Sequence, residues 1–297
     1  MGLNMTTHPA EKVGRLLEAA WTASALARLI ERGPDYPLSP DDPSIPLLEP
    51  AGLLERGADG YVLVGRDELR GNESTVVANI RSVLGQAYSV ATGHTGWGSQ
   101  PEDVLLAQGE ASAAGGPGFA QLIAALPGLA EAFADGGTLL DVGVGIAGFA
   151  CAFCEAVPRS RVIGLDVEPR AIELARQRVR DAHLDDRIDI RDVGIEDFDV
   201  DSVADLAHMS PVFIPSTLLP AAMQRIHAAL KPGGWLVLSG IVSDRGDGAT
   251  RWMAHQAGGS ALTTNDAAAL AAQAGFGDPI EPTLPPGAPR IVVFRVG

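Results

Sequence analysis

Apolar positions follow helical spacing near the start of the chain and strand spacing beyond its middle. In VGRLLEAAWTASALARLIERG, Val13, Leu16, Leu17, Ala20, Trp21, Leu26, Leu29 and Ile30 mark one helix, which Gly33-Pro34 ends. A proline-rich connector runs on to Pro50. GLLERGADGYVLVGRDELRG then reads as a helix end, a turn at Ala58-Asp59-Gly60 and a short strand from Tyr61 to Val64. From about Asn79 to Ala134 the pattern is helical with interruptions, and Gly93, Gly96, Gly98, Gly115, Gly116 and Gly118 make it loop-rich.

At Gly136 the pattern changes. TLLDV is a short apolar strand, followed by a glycine loop and a helix to about Val157. RVIGLDV, DRIDIR, SVADLAHM and WLVLSGI read as further strands, and EPRAIELARQRVRDAHL and STLLPAAMQRIHAALK as helices between them. This alternation predicts a parallel sheet with helices on both faces. NDAAALAAQAGF is another helix. A short strand before Pro282 and the closing PRIVVFRV have no helix between them, so they are expected to pair as an antiparallel hairpin. Three regions follow: 1–90, a bridge at 91–134, and 135–297.

Composition narrows the function classes. The 297 residues are 46% hydrophobic and 20% charged, an ordinary globular mix. With 37 acids against 22 bases the formal charge is −15, which speaks against nucleic acid or an anionic membrane surface as partner. There is no apolar run of membrane-spanning length and no apolar signal core at the N-terminus, so a cytoplasmic protein is expected. Cys151 and Cys154 form a C-x-x-C in FACAFC. No second cysteine pair completes a zinc site, so the pair is read as helix packing and no metal is expected.

The chemistry centres on LLDVGVGIAGF, with G-x-G-x-x-G at Gly143, Gly145 and Gly148. After a strand and before a helix, this pattern fits a dinucleotide pyrophosphate, with Asp166 on the next strand free for ribose hydroxyls. An NAD-dependent oxidoreductase is therefore one reading. Asp141 points the other way. It stands two residues before the first glycine, at the ligand-binding end of its strand, where a carboxylate repels phosphate and attracts an ammonium or sulfonium. A Pro-Gly-Gly turn in ALKPGGWLVLSG and the expected terminal hairpin add to it.

LLDVGVGIAG, VIGLDVEPRAIELAR and LKPGGWLVL together resemble the class I S-adenosylmethionine-dependent methyltransferases, over about Gly136 to Gly297. The N-terminal part is similar, more loosely, to that of small-molecule methyltransferases with a winged-helix dimerisation domain. The resemblance implies a Rossmann-like α/β fold with a seven-stranded sheet, a mainly helical winged-helix-like domain at 1–90, and a homodimer formed through it. It also implies S-adenosyl-L-methionine as cofactor. Gly143, Val144 and Gly145 are then expected beside the methionine moiety and Asp141 at its amino end. Asp166 would take the ribose hydroxyls and Val167 would lie against adenine. The acid that the family often has near the adenine amine falls at Gly194 here, which leaves Val193, Gly194 and Ile195, or the nearby Asp192 and Glu196, for that contact. Met209 is expected to border the methyl donor.

Methyl transfer to a hydroxyl calls for a base, and histidine titrates near neutrality. His208 at a strand end, His94 in the bridge and His255 beyond the fifth strand are the candidates. Trp97, Phe213, Trp252 and Met253 are the expected acceptor contacts, and suggest a small aromatic or apolar molecule. A third reading is a ligand-sensing winged-helix regulator. Residues 1–90 carry eight lysines and arginines against twelve acids, which disfavours DNA as its partner.

Overall fold

The computed structural model describes residues 9–57, 60–283 and 289–297. Ala58 and Asp59 of the expected turn lie outside the described residues. The chain divides into two compact units, Met1–Tyr88 and Ser89–Gly297.

The first unit contains α1 (Pro9–Arg32), α2 (Ile45–Leu48), β1 (Leu54–Arg56), β2 (Tyr61–Leu63), α3 (Arg66–Leu69) and most of α4 (Glu73–Ala91). β1 and β2 pair antiparallel, Leu54 opposite Leu63, and Leu38 adds a bridge to Tyr61. Leu29, Ile30, Leu38, Leu48, Leu63 and Val77 form its core. The apolar periodicity of α1 serves two surfaces. Its last turns bury Ala27, Leu29 and Ile30, whereas Val13, Leu16, Leu17 and Trp21 stay exposed, Trp21 at 69%.

The second unit opens with α5 (Glu102–Ala113), α6 (Gly115–Ala125) and α7 (Leu129–Ala134). The alternating part follows as β3 (Thr138–Val142), α8 (Gly148–Ala156), β4 (Arg161–Asp166), α9 (Pro169–Asp181), β5 (Ile188–Asp192), β6 (Ala204–Met209), α10 (Leu219–Ala229), β7 (Leu230–Ser239), α11 (Gly248–Ala257), α12 (Thr264–Gln273) and β8 (Ile291–Arg295). The sheet order is β5-β4-β3-β6-β7-β8, parallel except for β8. α6 to α9 cover one face around Phe119, Phe149, Phe153 and Leu139. α10 and α12 cover the other, around Met209, Met223 and Leu236. The order reverses between β3 and β6, and in such sheets ligands bind at the carboxyl ends beside that reversal.

Two expectations need correction. Among the described residues the sheet has six strands, not seven. The segment before Pro282 does run antiparallel to the last strand, but only as isolated bridges: Phe276 pairs with Val296, Gly277 N–H donates to Arg295 O at 2.9 Å, and Ile280 exchanges two 2.9 Å backbone bonds with Val293. Pro279 and Pro282 flank Ile280 and lack the N–H that a ladder requires. The Pro-Gly-Gly turn also does not precede β7 but lies inside it. Gly233 takes φ +77° there, and the register with β6 shifts between Ala204 and Leu206, so the turn acts as a bulge.

Cys151 and Cys154 are free, buried thiols on α8. Burial pushes Cys151 up to about 11 and raises Cys154 as well, so both stay protonated and apolar in character. The carbonyls at the end of α8 find their donor in Arg187. Its guanidinium donates to Ser160 O at 3.0 Å and to Cys154 O and Val157 O at 2.9 Å each. A cation at a helix C-terminus is also favoured by the helix dipole. Arg187→Met is expected to destabilise the protein by about 2–3 kcal/mol, at roughly 1 kcal/mol per bond lost. Arg187→Lys should recover part of that, both read from urea denaturation.

Candidate active site at the carboxyl ends of the strands

The glycine loop is built to be held by β4. Gly143 N–H and Val144 N–H both donate to Leu165 O at 2.9 Å, and Gly145 N–H donates to Asp166 Oδ2 at 2.7 Å. Gly143 and Gly145 adopt φ +78° and +55°, as does the buried Ala147 at +60°. Only glycine enters this region without a Cβ penalty, which accounts for the first two glycines. A Cβ on either would meet no described atom within 4 Å, so the loop is open on that side. Gly148 answers a different need. A Cβ there would overlap the backbone of Gly109, because α8 and α5 cross at this pair of glycines.

Asp166 sits at the hub. Oδ1 accepts from Val167 N–H at 2.8 Å and from Glu168 N–H at 2.9 Å, in addition to the Gly145 bond. Burial pushes its carboxyl above the ordinary range, these amides pull it back, and the charge of Asp141 adds to the rise. Val167, next along, is 65% exposed, an unusual surface position for a branched apolar residue. β5 then reaches Asp192 and Val193, whose N–H donates to Asp166 O at 3.1 Å. Gly194 has no side chain to offer an acid, yet an acid is present. A Cβ on Gly194 would come within 2.6 Å of Glu196 Oε2, so the Glu196 carboxylate fills the vacated space. Ile195 is buried in the core.

Asp141, expected at the amino end of the methionine moiety, has a partner within the chain. It is 2% exposed, and its Oδ1 lies 2.9 Å from His208 Nδ1. His208 Nε2 lies 2.9 Å from Ser239 Oγ. Asp141 and His208 are register partners on β3 and β6, and Ser239 ends β7. The three side chains thus form a polar row across adjacent strand ends. The rings of Phe119 and Phe149 lie against the imidazole, with centroids 5.3 and 4.9 Å away. Ser239 was missed from the sequence, because nothing in WLVLSG shows which strand lies beside it. Met209, the last residue of β6, is fully buried on the α10 and α12 side of the sheet.

The remaining candidates fall into two groups. Trp97 packs on Phe213 at 5.0 Å between centroids, and on Leu105, Ile146 and Ala171 beside the glycine loop. The loop bearing it is tied to α11 by Gly96 N–H donating to Gln256 O at 2.7 Å. α11 packs on the turn Pro211–Phe213, with Met253 half-buried and Trp252 and His255 exposed. Trp252 and His255 lie 5.8 Å apart, ring to ring. His94 is exposed, its Nδ1 3.3 Å from Thr92 Oγ1. Among the described residues no group of three His, Cys, Asp or Glu is arranged to hold a metal, and no helix is long and apolar enough to cross a membrane.

Residues 139–234 match the family model for a methyltransferase domain. The chain shares its fold with solved methyltransferases. Comparison with curated protein sequences gives no match. Among solved structures, the fold is similar to that of a candidate O-methyltransferase of Nostoc punctiforme PCC 73102, at 18% identity, 98% of this chain, 99% of that one and TM-score 0.65. It is also similar to the S-adenosylmethionine-dependent methyltransferase SibL, at 19% identity, 96% and 98% coverage and TM-score 0.64. The pyocyanin biosynthetic protein PhzM matches at 17% identity, 97% and 99% coverage and TM-score 0.63. The segment matched to the methyltransferase domain model holds the glycine loop, Asp141, Asp166 and His208, and Ser239 lies just beyond it.

Within this domain the glycines of one motif should separate by cost. Gly148→Ala forces two helix backbones apart and is expected to destabilise by about 3 kcal/mol or more. Gly143→Ala meets only backbone strain, about 1–2 kcal/mol. Denaturant midpoints of the two variants check the order.

Proposed function

We propose that the protein transfers a methyl group from S-adenosyl-L-methionine to a small aromatic or apolar acceptor. One observation carries this reading over the nicotinamide alternative. The amides of Gly143, Val144 and Gly145 are already donated to Leu165 and Asp166, and two carboxylates, Asp141 and Asp166, flank the loop. A pyrophosphate needs free amides and suffers from nearby carboxylates. A cationic sulfonium compound with ribose hydroxyls has the opposite needs.

The donor set fits that compound. Gly143 to Gly145 offer a side-chain-free surface for the methionine portion. Asp166 retains lone pairs for ribose hydroxyls, the exposed Val167 offers an apolar platform for adenine, and Glu196 stands in for the acid missing at Gly194 as acceptor of the adenine amine. S-adenosylmethionine supplies a methyl already activated on sulfur, so the chain's own work is alignment, exclusion of water and removal of the acceptor proton. Trp97 and Phe213, packed at a tilt of 57° beside the loop, are the acceptor wall, with Met253 and Trp252 of α11 at its edge. Similarity to the pyocyanin biosynthetic protein PhzM supports a small-molecule acceptor.

The exposed stripe of Val13, Leu16, Leu17 and Trp21 suits a second copy of this chain, giving a homodimer through the N-terminal unit. Leu17→Asp with Trp21→Asp is expected to convert a dimer to a monomer in sedimentation equilibrium. A wild type that sediments as a monomer removes the idea.

Titration calorimetry tests the donor directly. The protein should bind S-adenosylhomocysteine and give no heat with NAD or NADH. Asp166→Asn should weaken binding by about 10- to 100-fold, the worth of hydrogen bonds to a charged acceptor. Because the Asp166 carboxyl lies above its ordinary range, wild-type affinity should begin to fall at a higher pH than an ordinary aspartate would cause. The sign follows from ionised Asp166 being the better acceptor: acidification weakens binding, and the Asn variant loses that dependence. Tight NAD binding without S-adenosylhomocysteine binding would reverse the assignment.

A further inference from the structure

We propose that Asp141, His208 and Ser239 form a proton relay laid across three strand ends, with the Ser239 hydroxyl as the group that meets the methyl acceptor. The proposal rests on the methyl-transfer reading above. Its bonding roles follow from donor and acceptor chemistry. A carboxylate only accepts, so the imidazole proton sits on Nδ1, facing Asp141 Oδ1 at 2.9 Å. Nε2 is then the lone-pair nitrogen, and the Ser239 hydroxyl, 2.9 Å away, donates to it. Both ring nitrogens of His208 are thereby committed, and both acceptor lone pairs of Ser239 Oγ remain available.

Position supports Ser239 as the outer end. It is the last residue of β7, where the chain leaves the sheet for α11. Ser210 Oγ donates to Ser239 O at 3.4 Å, which ties this point to the root of the Pro211–Phe213 turn. The turn that carries Phe213 therefore starts beside Ser239, and the segment leading to α11 leaves from the same point. The surroundings of the imidazole are otherwise apolar. β3 presents Asp141 and β7 presents Ser239, whereas α6 and α8 present the rings of Phe119 and Phe149. Asp166 acts on Asp141 as the next charge. In such surroundings an imidazolium is held by its one carboxylate partner.

The step balances as a displacement on an acceptor hydroxyl. The acceptor O–H bond breaks and its proton passes to Ser239 Oγ, as the Ser239 proton passes to His208 Nε2. The freed oxygen lone pair forms the O–CH3 bond, and the C–S electron pair departs with sulfur. His208 ends as imidazolium against Asp141 and returns its proton to solvent through Ser239. Ser239 is thus the catalytic residue, and His208 and Asp141 act through it.

The test uses the full chain with two readouts. With 15N-histidine labelling, His208 should show the tautomer protonated on Nδ1, and Asp141→Asn should change the balance between the Nδ1 and Nε2 tautomers. Turnover of S-adenosylmethionine is then followed with catechol, 1-naphthol and 4-hydroxybenzoate as probes. Ser239→Ala and His208→Asn should each lower kcat by about 100-fold or more and remove the acid limb of the pH–rate profile. KM for S-adenosylmethionine and the Kd for S-adenosylhomocysteine should hold within twofold, and Ser239→Thr should keep most of the rate. Ser239→Ala removes a single hydroxyl, so it keeps the test decisive if His208→Asn fails to fold. An Nε2-protonated tautomer, an unchanged kcat and pH profile in Ser239→Ala, or turnover of none of the phenols by protein that binds S-adenosylhomocysteine each overturns the relay. Failure of the wild type to bind S-adenosylhomocysteine strikes the methyl-donor reading instead.

Discussion

The bond from Gly145 N–H to the Asp166 carboxylate is the constraint on which the site depends. It joins the loop after β3 to the end of β4, two strands held in register from Thr138 opposite Arg161 to Val142 opposite Leu165. With Leu165 O taking two further amides, the loop has little freedom to turn its N–H groups outward. Asp166 pays for this hub with desolvation, which its three amide donors offset only in part. The result is a loop whose first two glycines offer no side chain and whose Gly143, Val144 and Gly145 amides all point inward, next to a carboxylate. That polarity is the reverse of a phosphate cradle, although the glycine spacing is the same.

Much of this was legible in the sequence because it is local. A run of strand and helix periods from Gly136 onward gave the parallel sheet, and the loop, Asp141 and Asp166 fell at strand ends by simple counting. Pairwise geometry was not legible. Strand order brings Asp141 beside His208 and His208 beside Ser239, residues 67 and 31 positions apart along the chain. No spacing rule reaches across such distances. Gly194 shows a second kind of limit. A missing acid reads as a loss in one dimension, whereas the folded turn returns Glu196 to the same space. The seventh strand failed for a third reason: its prolines remove the donors that apolar alternation assumes.

Gly148 carries a related lesson about motifs. In G-x-G-x-x-G the last glycine is usually credited to the ligand or to helix–strand packing. In this protein it permits α8 to cross α5 at Gly109, with Ile146 of the loop wedged on the same glycine. α5 begins shortly after Trp97, so the contact also sets where that indole lies relative to the loop. One backbone crossing therefore links the donor end of the site to the acceptor wall.

The polar row across β3, β6 and β7 is best understood against its own strands. Two residues earlier on the same face stand Leu139, Leu206 and Val237, all fully buried in the apolar core. Continuing that pattern would have been the more stable choice, because polar groups in such surroundings contribute little net stability even when fully bonded and cost 1–3 kcal/mol when left unpaired. The chain instead changes from apolar to Asp and His at register-paired positions of β3 and β6, and to Ser on β7 two residues beyond the Val237 that pairs with His208. Each bond in the row needs the next one to be satisfied, so the three side chains are useful together and a liability singly. At the opposite edge the same three strands carry one more polar cluster, where Asp205 accepts from Thr138 N–H and Lys231 Nζ at 2.8 Å each; that one ties strand ends together as a charged pair, whereas the row at the ligand-binding edge joins groups able to pass a proton.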